Sequence, residues 1–139
     1  MGIELYWNND EETVMLMEFN GAWTWEEMYA VLDKVKKVTD KSPIVLGAIL
    51  DLTHGARFPG GSPFTSQTRD HGQRVLKMGE GGSGPIAVVG AGGFFRTVFK
   101  ALLAMDPDRL RHIRFVDTMD EAEAFMAQQD FSPKAGAAV

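Results

Sequence analysis

The chain has 139 residues, of which 45% are hydrophobic and 24% charged, and a formal net charge of -5. Length and balance predict one domain able to bury its own core, and the acidic excess argues against nucleic acid and anionic membrane as partners. With no cysteine there is no disulfide framework, no thiolate nucleophile and no cysteine-ligated zinc.

Met1-Gly2-Ile3-Glu4-Leu5-Tyr6 lacks the Ser or Thr of a myristoylation signal, and the acidic residues that follow do not form a signal peptide. No apolar run is long enough to span a bilayer. The expectation is a cytoplasmic protein without membrane insertion.

Ile3, Leu5 and Trp7 alternate with polar neighbours, and Asn8-Asn9-Asp10 supplies a turn. Thr13 to Phe19 reads as a second strand, with Met15, Met17 and Phe19 on one face and Val14 and Leu16 on the other. The two predict an antiparallel hairpin ending at Asn20-Gly21. Thr24 and Glu27 then form a capping box, with Trp23 placed to staple onto Met28. Met28, Val31, Leu32, Val35 and Val38 make an apolar stripe at helical spacing, and Asp33 is positioned to pair with Lys37.

Ile44 to Leu50, between Pro43 and Asp51, is an apolar run of the kind found in a central strand buried on both faces. A glycine-rich loop is expected from Asp51 to Ser62. Ser62 is a good N-cap and Pro63 a good first residue for a second helix, running to about Met78 with Phe64, Thr68, His71, Val75 and Met78 along one side. Pro85 to Gly90 predicts another buried strand, and Ala91-Gly92-Gly93 leads into a third helix ending near Met105. That helix is apolar almost all round, so more than one of its faces needs covering. His112 to Val116 predicts the last strand, and Thr118 with Glu121 a second capping box opening a helix through Ala122, Phe125 and Met126. Residues 130–139 are expected to be a flexible tail beyond a single domain of residues 1–129.

The order β-β-α-β-α-β-α-β-α predicts an α/β fold, a mixed sheet with helices packed against it. This order resembles the STAS domain of anti-sigma-factor antagonists and sulfate-transporter termini, over about Ile3 to Gln129. Ala48-Ile49-Leu50-Asp51-Leu52-Thr53 is similar to that family's central strand, and Ile86-Ala87-Val88-Val89-Gly90 to its next strand. Phe115-Val116-Asp117-Thr118-Met119-Asp120-Glu121-Ala122 is similar to its closing strand and helix start. Phe19-Asn20-Gly21-Ala22-Trp23-Thr24-Trp25 resembles the SpoIIAA-like (STAS/SEC14) branch.

The resemblance implies a non-enzymatic regulatory module that binds a protein partner and is switched by phosphorylation of a serine at the start of the second helix. The matching position is Ser62, with Thr65 and Ser66 one turn on. The acidic residue expected before the serine is absent, and Pro63 follows it. Asp51, Thr53, His54, Arg57, Phe58, Gly60 and Gly61 then form the loop that meets a partner or ligand. Ser62 as a plain N-cap is the competing reading. The SEC14 side implies an alternative, a carrier or sensor of a small apolar or lipid-like ligand. Phe64, Phe95, Phe99 and Leu103 would line its pocket, or a homodimer interface.

Gly90, Gly92 and Gly93 could hold an anion at a helix start or simply form a tight turn. Position 95 is Phe rather than the third glycine of a dinucleotide fingerprint. A hydrolytic triad of Ser62 with Asp51 and His54 or His71 can be drawn, although position 64 is Phe where a nucleophile elbow has glycine. Asp51 with His54 could touch a metal, but one such pair is not a site, and no cofactor is implied.

Overall fold

The turn after the first strand is built by Asn9, whose Oδ1 accepts the backbone N–H groups of Thr13 and Val14 at 3.0 and 3.3 Å. It joins β1 (Ile3–Trp7) to β2 (Val14–Ala22) as an antiparallel pair, with Leu5 opposite Met17. The computed structural model describes residues 2–57, 66–67, 70–71, 74, 84–92, 96–97, 100, 104 and 113–129. Ser62, the predicted helix start and the 130–139 tail lie outside them.

The hairpin leads into helix α1 (Trp25–Lys41), capped by Thr24, whose Oγ1 accepts the Glu27 N–H at 3.1 Å. Lys37 and Asp33 pair at 3.0 Å on its solvent side. Strand β3 (Gly47–Arg57) follows, then β4 (Ile86–Val89), β5 (Ile113–Val116) and helix α2 (Met119–Ala127). Thr118 caps α2, its Oγ1 accepting the Glu121 N–H at 3.1 Å.

Among the described residues five strands lie in chain order, β1 to β5, in one mixed sheet with β3 at its centre. From β2 onward neighbouring strands are parallel. Parallel neighbours require a crossover. Helix α1 is the crossover between β2 and β3. In the two later crossovers Ser66, Gln67, Asp70, His71 and Arg74, and then Arg96, Thr97, Lys100 and Ala104, have helical backbone. The chain is therefore an α/β protein, as its alternating pattern predicts.

Alternation along the strands divides the core into two layers. Met17 and Phe19 of β2, Leu52 of β3 and Val88 of β4 pack with Met28 and Val31 of α1. On the opposite face, Val14, Ile49, Ala87, Val89 and Val116 pack with Ala122 and Met126 of α2. Among the described residues Ile49, Val88 and Val89 are the largest fully buried side chains, each worth about 1.5–3 kcal/mol against exposure.

Two expectations need correction. The central strand runs from Gly47 to Arg57 rather than Ile44 to Leu50, so Asp51 to Arg57 is strand and not loop. Strand β2 likewise does not stop at Asn20-Gly21. Its pairing with β1 ends at Ile3–Phe19, but it continues to Ala22 along β3. Asn20 N–H still donates to the Gly2 carbonyl at 2.7 Å, and beyond it the ladder with β3 is irregular.

Candidate functional site

The carboxyl ends of central strands are where open α/β sheets collect ligands, and this end of β3 is polar. Its pairing with β2 is broken by bulges. Glu18 pairs with Asp51 and Asn20 with His54, so two steps along β2 match three along β3. In a regular strand, residues three apart point to opposite faces. The extra residue reverses that parity and puts His54 on the face shared by Asp51 and Glu18, an established use of bulges. A second extra residue precedes Arg57, where Gly55 takes a φ of 76° that a side chain would resist.

Asp51 is the buried charged residue of the described core, 4% exposed. Its Oδ1 accepts the Thr53 backbone N–H at 2.9 Å and the Thr53 hydroxyl at 2.6 Å. Its Oδ2 lies 3.2 Å from His54 Nε2, and Glu18 Oε2 lies 3.8 Å from the same nitrogen. One imidazole nitrogen thus faces two carboxylates, and one donor oxygen or nitrogen from each of the three residues lies within 4.8 Å of the others. A hydrolytic triad on Asp51 and His54 would therefore have to use Nδ1 toward its nucleophile.

Of the residues expected to form the partner-binding loop, Asp51, Thr53 and His54 come together. Arg57 ends β3 opposite Ala22. Phe58, Gly60 and Gly61 lie outside the described residues. Among the phosphorylation candidates, Ser66 is helical and exposed, and Ser62 and Thr65 are outside. So are Gly93 of the anion-binding turn and Phe64, Phe95, Phe99 and Leu103 of the apolar set. Glu18 was not singled out by the sequence, since it lies 33 positions before Asp51 and is joined to it only by strand register.

The Gly90 turn packs against this site. Gly90 has a φ of 71°, and a Cβ there would stand 2.7 Å from Thr53 Cγ2. Its N–H donates to the Val116 carbonyl at 3.1 Å. Arg96 then reaches back, with Nε donating to the Ala91 carbonyl at 3.3 Å and the guanidinium 3.0 Å from Asp117. Gly90 thus allows the ends of β3 and β4 to pack closely, whereas a Cβ at Gly92 would stand in open space.

A second polar cluster joins α1 to the helical residues after β3. His71 stacks on Trp25 with ring centroids 4.9 Å apart, and its Nδ1 meets the Tyr29 hydroxyl. Arg74 lies over the Tyr29 ring at 4.4 Å. Trp25 in turn stands edge-on to Trp23, which stands edge-on to Phe19. His71 is thereby half-buried and hydrogen-bonded to α1. Among the described residues no helix is long and apolar enough to cross a membrane. Comparison of the chain with protein-family models and with curated proteins finds no match.

Proposed function

We propose that this chain is a non-enzymatic, cytoplasmic, STAS-like module that binds a protein partner and is gated by phosphorylation between Ser62 and Ser66. The supporting observation is the hairpin-first mixed sheet with β3 at its centre, Ser62 standing five positions in sequence beyond the end of β3 at Arg57. Exposed Ser66 on a helical stretch adds an accessible hydroxyl to the same region. A phosphate there brings about 1.5–2 negative charges. Near a helix start those charges are locally tolerated by free amides, while they repel an acidic partner surface.

The test is incubation of the purified chain with serine kinases from its source cells, followed by phosphosite mapping. Modification at Ser62, Thr65 or Ser66 is expected. Phosphate placed elsewhere, or nowhere, counts against the gate.

A further inference from the structure

We propose that Glu18, Asp51 and His54 form a binding site for a divalent cation of zinc-like preference. This does not rest on the partner-binding reading. The set differs from a surface patch of acids in three ways. It contains an imidazole nitrogen as well as two carboxylates. One carboxylate, Asp51, is 96% buried, its relative exposure being 4%. And His54 joins the set only because β3 carries an extra residue opposite β2.

Asp51 carries the argument furthest. Burying a carboxylate is costly unless its charge is compensated. Thr53 satisfies Oδ1 through its N–H and hydroxyl. Oδ2 points into the cluster, where among the described residues its neighbour is His54 Nε2. Glu18 Oε2 approaches the same nitrogen from β2. A neutral imidazole with its proton on Nε2 can donate to only one of these oxygens, the nearer being Asp51 Oδ2. With the proton on Nδ1, three lone pairs converge on one space. A divalent cation there meets two negative charges and a neutral nitrogen, balancing the site.

The distances suit a small tetrahedral ion. Zinc bonds of about 2.0–2.1 Å place neighbouring donors about 3.3 Å apart. His54 Nε2 to Asp51 Oδ2 is 3.2 Å, and Glu18 Oε2 lies 3.8 Å from the same nitrogen. The three donors lie within 4.8 Å of one another, so closing on an ion draws the half-buried Glu18 side chain inward. The side chains of His54 and Glu18 are 48% and 26% exposed, so both can adjust around an ion. Magnesium and calcium prefer six or more oxygens, whereas an imidazole among few donors favours zinc and its neighbours.

The experiment uses the untagged full chain, stripped with a chelator and titrated with zinc by calorimetry in a non-coordinating buffer, with native mass spectrometry for stoichiometry. One equivalent is expected to bind. Glu18→Gln and His54→Gln, both at partly exposed positions, are each expected to weaken binding at least tenfold, the lower end of what even outer-shell partners contribute to metal affinity. His71→Gln and His112→Gln, the other two histidines, are expected to bind zinc as the parent chain does. Absence of saturable binding overturns the proposal. So does parent-like affinity in either Glu18→Gln or His54→Gln, or loss of binding in His71→Gln or His112→Gln.

Discussion

Glu27 holds Gly2: its Oε2 accepts the Gly2 backbone N–H at 2.8 Å and the Ile3 N–H at 3.2 Å. The other oxygen of the same carboxylate accepts the Thr24 hydroxyl at 3.5 Å, while the Glu27 backbone N–H is capped by Thr24 Oγ1 at the start of α1. One carboxylate thus ties the edge strand β1 to the helix that covers it. Hydrogen bonds to an ionised group are worth more than neutral ones, about 1.5–3 kcal/mol each. Glu27→Ala is expected to lower stability by about 2–3 kcal/mol in urea denaturation, against about 1 kcal/mol for Thr24→Ala. Because the two residues bond each other, the double variant should lose less than the sum. Strict additivity would show that Glu27 acts on β1 alone.

Gly90 is held against Thr53 by both conformation and space. Alanine there has to adopt the φ of 71° and place its Cβ 2.7 Å from Thr53 Cγ2. The first effect costs about 1–2 kcal/mol, and crowding adds a similar amount. Gly90→Ala should therefore lower thermal stability markedly. Adding Thr53→Ser removes the clashing methyl and should restore the crowding part while leaving the conformational part. A double variant no more stable than Gly90→Ala would mean that the clash is relieved in some other way.

How far the sequence revealed this architecture depends on the distance over which each signal acts. The N-caps at Thr24 and Thr118, the Asp33–Lys37 pair and the turn of the β1–β2 hairpin all depend on residues a few positions apart, and all four are present. At each cap the Glu carboxylate meets the Thr hydroxyl rather than closing the box on its backbone N–H. Apolar alternation also sorted Met17 and Phe19 from Val14 and Leu16. The end of β3 was misread because Asp51-Leu52-Thr53-His54-Gly55 has loop chemistry, and its strand geometry comes from the continuation of β2. The candidate cation site was hidden for the same reason. Glu18 meets Asp51 through register, and His54 turns to their face through a bulge that no local spacing rule detects.

Helix α2 offers a test of the second core layer. Ala122 is fully buried against the sheet, whereas Ala124, on the same helix, is exposed. Leucine at Ala122 has to push the helix off Val89 and its neighbours, at a cost of about 1–3 kcal/mol. Leucine at Ala124 should change stability by no more than about 0.5 kcal/mol. Both variants have nearly equal intrinsic helix propensity, so a difference between them measures packing. Equal stabilities would argue that α2 does not bear on the sheet in solution.

The Trp25–His71 stack predicts where the chain opens first. His71 and Arg74 reach α1 through Trp25 and Tyr29, by ring stacking, a hydrogen bond and a cation–π contact. Each contributes on the order of 1 kcal/mol. Strands β2 and β3, by contrast, share an extended ladder and apolar layers on both faces. Local opening follows such differences in contact. Trp25→Ala is therefore expected to speed amide exchange about tenfold or more at helical positions such as His71 and Arg74, since losing about 1.4 kcal/mol changes an equilibrium tenfold. Exchange in Ile49 and Leu50 of β3 should stay nearly unchanged. Tyr29→Phe keeps the ring under Arg74 and removes only the hydroxyl, so its effect on the same amides should be smaller. If Trp25→Ala speeds exchange in β3 and around His71 equally, the joint is part of the global core rather than a local hinge.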